Sequence, residues 1–93
     1  MIKSFKNKET ERVFRREFCS YIPLHIHKKA HYKLIILDAI TSLKELYSPP
    51  GNHLKELKGE RAGQYSIRVN DQWRICFYWY ENNAYKVEIV DYH

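Results

Sequence analysis

The chain has 93 residues, enough for one domain and too few for two independent cores. Apolar residues make up 44% and aromatics 15%, spread along the whole length, which excludes a disordered polar chain and supports one modest core. Sixteen Lys and Arg against eleven Asp and Glu leave a net charge of +5, so nucleic acid leads the list of partners, although a plain solvated basic surface fits the same excess.

The two cysteines, Cys19 and Cys76, stand far apart in no paired motif, which predicts reduced, partly buried thiols rather than a disulfide or zinc framework. The opening Met1-Ile2-Lys3-Ser4-Phe5-Lys6 has no apolar run of signal-peptide length, and no stretch approaches a membrane span. With neither repeats nor linkers, residues 1–93 are expected to form a single domain in the cytoplasm, with no membrane contact.

In chain order, Ile2 and Phe5 suit a short opening strand. A first helix is predicted over residues 8–19, where Phe14 and Phe18 stand four apart beside Val13. Pro23 suits the first turn of a second helix, whose inward stripe is Ala30, Leu34, Leu37 and Ile40, widened by Ile36 and Leu43. Ser42-Leu43-Lys44-Glu45 has the form of a capping box and predicts a short third helix. Ser48-Pro49-Pro50-Gly51-Asn52 then ends helix and begins a turn.

Beyond that break the period is two. Tyr65, Ile67 and Val69 form one alternating set, Trp73, Ile75, Phe77 and Trp79 a second, and Tyr85, Val87 and Ile89 a third. Loops at Asn70-Asp71-Gln72 and Glu81-Asn82-Asn83 join them into an antiparallel meander. Helices first and strands after predict an α+β domain, with helices on one sheet face and the other face left open.

A three-residue loop at Asn70-Asp71-Gln72 sets Arg68 opposite Arg74 on that open face. Like charges so placed cost roughly 0.2–1 kcal/mol, unless they splay into water or share an anion. Arginine forks match phosphate oxygens, and Lys55, Lys58 and Arg61 stand close enough in sequence to add to the same field.

The chain closes on Asp91-Tyr92-His93. A histidine beside a carboxylate can exchange protons near neutrality, and a tyrosine can stack on an unpaired base. With the cations these are the parts of a metal-free ribonuclease; a frayed terminus fits the same residues. Strict alternation from Tyr85 puts Asp91 and His93 on the apolar side and Tyr92 on the arginine side; a bulge or twist at the strand end would redirect them.

Other patterns carry less. His27 and His31, four apart among Lys28, Lys29 and Lys33, read as a solvated basic helix face rather than a metal pair. Trp73, Phe77 and Trp79 share parity with Ile75 and read as core. Tyr78 and Tyr80 lie on the polar parity, where they suit base stacking or ordinary strand duty.

The run from Arg61 to Phe77 (RAGQYSIRVNDQWRICF) resembles the HigB-type toxins of bacterial type II toxin–antitoxin pairs, within the RelE/ParE superfamily. So do Ile2-Lys3-Ser4-Phe5, the Pro49-Pro50-Gly51-Asn52 turn, Leu57-Lys58-Gly59 and the closing residues 87–93. The resemblance covers nearly the whole chain. It implies a RelE-like fold, two to three N-terminal helices packed on one face of a mostly antiparallel β-sheet. It also implies an endoribonuclease cleaving messenger RNA on the translating ribosome, without cofactor or metal. The implied partners are a HigA-like helix-turn-helix antitoxin, messenger RNA and the ribosome, with operator DNA reached only through the antitoxin. By position Arg74 would stabilise the scissile phosphate, helped by Lys58, and Asp91, Tyr92 and His93 would form the catalytic terminus. The hairpin reasoning, not the resemblance, adds Arg68.

One well-studied branch of the family has a histidine where this chain has Lys55, before a Pro-Leu-Lys-Gly step. Here the step is Lys55-Glu56-Leu57-Lys58-Gly59, with His53 two positions earlier. Two competing functions remain open on these residues: a non-enzymatic ParE-like gyrase inhibitor, and an RNA-binding module that does not cut.

Overall fold

The computed structural model describes residues 1–91; Tyr92 and His93 lie outside them. Helix α1 runs Lys8–Phe14, capped by Asn7, whose side chain accepts from the Thr10 amide at 2.9 Å. It is shorter than its apolar spacing predicts. Arg16 turns left-handed at φ 61°, and the amides of Arg16 and Glu17 reach back to the carbonyls of Val13 and Arg12 at 3.1 and 2.8 Å. That pattern is a Schellman stop, made without the usual glycine. Phe18 therefore lies past the helix and is 70% exposed instead of stacking on Phe14.

Helix α2 spans Leu24–Ala39, with Pro23 just before it. Its stripe of Ala30, Leu34 and Leu37 is fully buried, and Ile40 nearly so. The capping box is formed: Ser42 Oγ accepts from Lys44, and Glu45 accepts from Ser42, above a 3₁₀ turn at Leu43–Tyr47. A second 3₁₀ turn, Pro50–Asn52, follows the proline break.

Four strands come next: β1 (Lys55–Glu56), β2 (Gln64–Arg68), β3 (Trp73–Tyr80) and β4 (Asn83–Asp91), antiparallel in the order β1-β2-β3-β4. The opening segment adds two parallel bridges, Ile2 to Ala84 and Phe5 to Val87, so the expected first strand is present in reduced form. The Asn70 side chain accepts from Gln72 and Trp73, closing the β2–β3 loop in the predicted register: Ile67 faces Ile75 and Arg68 faces Arg74. At the other end Glu81 and Asn82 are both left-handed, a two-residue turn tighter than the three-residue loop expected.

Helices α1 and α2 cover one face, the inner one. Val13, Ile26, Leu34, Leu37, Ile67, Val69, Ile75, Phe77, Val87 and Ile89 belong to one buried cluster there. Burial of apolar surface on this face is the main source of stability. Cys19 and Cys76 are both free and fully buried.

Lys86 interrupts β4. It sits at φ 50°, where the pairing with β3 shifts between Cys76 and Tyr78. The extra residue keeps Val87 and Ile89 inward but turns Tyr85 out, opposite Tyr78 on the outer face, with Ala84 buried in its stead. A bulge in β4 is present, but at Lys86, five residues before Asp91: it redirects Tyr85, and Asp91 remains paired with Trp73.

Candidate active site

The outer face is built in rows. Arg68, Arg74 and Val90 form one; Lys55, Ser66, Cys76 and Glu88 the next; Gln64, Tyr78 and Tyr85 the third. Arg74 is half-buried at the end of this face. Its Nε donates to Ser66 Oγ at 2.9 Å and its Nη2 to the His53 carbonyl at 2.6 Å. Held at two points, the guanidinium keeps one orientation before any substrate arrives, which is what charge stabilisation at a reacting centre requires.

The carbonyl that fixes Arg74 is itself fixed from below. His53 is left-handed at φ 45° at the end of the second 3₁₀ turn. Beside it Asn52, 1% exposed, donates to the carbonyls of Leu46 and Ser48, both at 3.2 Å, and accepts from Lys33. A buried polar side chain so fully engaged fixes the turn in one geometry. Lys33 is therefore no part of a solvated helix face. Burial first, and the like charge of Lys29 second, lower its pKa from the ordinary value of 10.5.

His53, Leu54, Lys55 and Arg74 line a cleft of about 190 Å³. The structure thus brings His53 and Lys55 to Arg74 together. Arg68 faces Arg74 across the strands and pairs with Asp71 of its own loop, while Arg74 is held by Ser66 and the His53 carbonyl, so the two guanidinium groups have different partners. Lys58 is exposed before the 3₁₀ turn at Gly59–Arg61. Arg61 points to the middle row, where its Nη1 lies 2.8 Å from Glu88 Oε1 and 3.3 Å from Gln64 Oε1.

Glu88 was not legible as a site residue. It is buried at the centre of the outer face, 3.6 Å from Lys6 Nζ as well as bonded to Arg61. Its parity with Arg74 and Cys76 was the available signal. Burial pushes the Cys76 thiol pKa up, and the Arg61 charge only partly opposes this, so the thiol stays protonated.

Asp91 is exposed and follows Val90, the residue paired with Arg74; its Oδ2 accepts from Gln72 Nε2 at 3.0 Å. Tyr92 and His93, the other two members of the expected catalytic terminus, fall outside the described residues. His27 and His31 are half-buried and bond the carbonyls of Ile22 and Val13 at 2.7 and 3.1 Å, with Arg16 donating to His31 Nε2. They tie α2 to the preceding chain, a structural duty that the solvated reading omitted. Among the described residues no group of three or more His, Cys, Asp or Glu comes together, and no helix is long and apolar enough to cross a membrane.

Residues 3–93 match the family model of the RelE-like toxin of type II toxin–antitoxin system HigB. The chain belongs to this HigB-like toxin family. It is 36% identical to Endoribonuclease HigB of Proteus vulgaris over 93 residues, all of both chains. It is also 43% identical to Toxin HigB-1 of Vibrio cholerae over 63 residues, 68% of this chain and 66% of that one. In three dimensions it resembles the YoeB-YefM complex from Staphylococcus aureus, with a TM-score of 0.61 and 16% identity over all of this chain and 98% of the other. That likeness shows the α+β RelE-like fold. The toxin's arginine cleft and its row of Ser66, Cys76 and Glu88 both lie on the sheet face that its helices leave open.

Proposed function

We propose that this toxin is an endoribonuclease that cuts messenger RNA on the translating ribosome, with the scissile phosphate seated at Arg74. The observation that carries the reading is the guanidinium held by Ser66 Oγ and the His53 carbonyl at a cleft shared with Lys55. The relative named Endoribonuclease HigB, matched from end to end, supports the same activity.

The chemistry is attack of the ribose 2′-oxygen on phosphorus with departure of the 5′-oxygen, leaving a 2′,3′-cyclic phosphate. One group removes the 2′-hydroxyl proton and another protonates the leaving oxygen; His93 is assigned to this exchange, with Tyr92 stacking on a base, while Asp91, paired with Trp73 rather than facing Arg74, is assigned to orienting the terminus. Arg74 stabilises the charge that develops on the phosphoryl oxygens, and Lys55 adds a second cation from the cleft wall. Lys58, Arg61 and Arg68 supply the wider field that attracts the strand. No metal or cofactor enters this scheme. A HigA-like helix-turn-helix antitoxin silences the toxin and carries it to operator DNA. The whole chain acts as one cytoplasmic domain.

The test expresses the wild type, Arg74→Ala and His93→Ala under tight control and maps RNA 5′ ends. Wild type should create codon-linked cuts. Each variant should lose them by about a hundredfold or more, with a circular-dichroism spectrum that keeps the native fold. Arg74→Ala cutting at the wild-type rate would remove Arg74 from the site. Gyrase-linked DNA breaks with intact transcripts would replace the reading with the ParE-like one.

A further inference from the structure

We propose that Tyr78, Tyr80 and Tyr85 form a second RNA subsite, a stacking platform for unpaired bases of the strand whose phosphate sits at Arg74. It rests on the ribonuclease reading only for which strand is bound. These rings, with Lys86 and Ser4, line a cleft of about 490 Å³ at the far end of the outer face. Tyr78 is 38% exposed and Tyr80 64% exposed, so both present ring surface to water. Tyr78 rests against Gly63, left-handed at φ 93°, where a Cβ would lie 3.5 Å from the ring.

The platform exists because of the bulge. With an unbroken strand Tyr85 would share the inward parity of Val87; the left-handed Lys86, its amide bonded to Ser4 Oγ at 2.8 Å, turns Tyr85 out beside Tyr78. A strained residue that places an aromatic ring on the open face points to use of that face. The core receives only the small Ala84 in exchange.

What lies between the two ends fits a nucleic-acid strand. Arg74 and Tyr78 are four residues apart on β3, about 13 Å by strand rise. That distance spans two to four nucleotides, depending on how far the strand is stretched beyond the roughly 3.4 Å rise of a stacked helix. Along the way lie Arg61 and Lys6 around the single carboxylate of Glu88, and Lys86 closes the far end. Cations that follow a backbone, ending in aromatic rings, are the pattern of sequence-tolerant single-strand binding. A protein partner would be met by the tyrosines as well, but the line of cations leading from the arginine cleft favours RNA.

The full-length toxin is titrated against a 2′-O-methyl single-stranded oligonucleotide carrying 2-aminopurine at each position in turn, both free and on programmed ribosomes. Stacking should quench the fluorescence at one set of positions. Tyr78→Ala combined with Tyr85→Ala should abolish the quenching and weaken binding about tenfold or more, while Phe at both positions should behave as wild type. Arg74→Ala should weaken binding yet keep the quenching amplitude. Undiminished quenching in the double alanine variant, or none in the folded wild type, overturns the platform; the latter result would leave the tyrosines to a protein partner. Quenching without any cutting in cells would instead sink the ribonuclease reading and leave the platform standing.

Discussion

The two faces of this sheet share one backbone and divide its work. On the inner face Tyr65 meets Phe77 and Ile67 meets Ile75, which in turn meets Ile89, under two helices. On the outer face the same strands offer Arg68 to Arg74 and Ser66 to Cys76, then Glu88. The inner face is held by apolar burial, which is additive and forgiving of direction. The outer face buries Gln64, Ser66 and Glu88, whose polar groups stabilise only when paired. A period of two therefore separates stability from chemistry residue by residue, and substitutions on alternate positions should separate them too.

The largest effect is expected from Phe77→Ala. Phe77 is fully buried among Tyr65 and Trp79, and its truncation leaves a cavity that the sheet cannot close. Denaturant unfolding should show a loss of about 3–5 kcal/mol, a large share of the stability of a domain this size. Activity should fall in step with the folded fraction and recover at low temperature. An unchanged midpoint would mean that the inner face is not where stability resides.

On the outer face Glu88→Ala should move two observables in opposite directions. It removes the carboxylate shared by Arg61 and Lys6, at a cost of about 1–3 kcal/mol in unfolding free energy. It also deletes a negative charge between Arg74 and Lys86, so single-stranded RNA should bind more tightly at low salt, with a steeper salt dependence. Weaker RNA binding at an intact fold would show Glu88 to be a contact in its own right.

How much of this was legible follows from range. The Arg68–Arg74 pairing needed only the alternation and a turn at Asn70-Asp71-Gln72, both local, and the structure has that register. The inward stripe of α2 was equally local. The end of α1 was not: its Schellman stop uses Arg16, a residue that carries no turn signature, so Phe14 and Phe18 looked like helical neighbours. The holders of Arg74 were hidden for a different reason, since a backbone carbonyl such as that of His53 has no sequence signal at all. Lys33 read as surface because lysine usually is; only the turn bearing Asn52, nineteen residues on, gives it a buried partner. Glu88 and Arg61, separated by 27 positions, meet only once the sheet has formed.

The bulge at Lys86 shows the same limit and yields the smallest effect. Alternation runs smoothly through Val87 and Ile89 in either register, so only Ala84 and Tyr85 could have told the two apart. Lys86 occupies the left-handed region at φ 50°, which costs a residue with a Cβ roughly 1–2 kcal/mol and glycine almost nothing. Glycine returns part of that as extra freedom in the unfolded chain. Lys86→Gly should therefore stabilise the fold by about 0.5–1 kcal/mol, a rise of about 2–8 °C in melting temperature for a domain of this length. Its amide would keep the bond to Ser4, so Tyr85 would stay outward. A lower melting temperature would show that the lysine side chain, not the backbone turn, holds the bulge, and the division between the faces would then depend on that one cation.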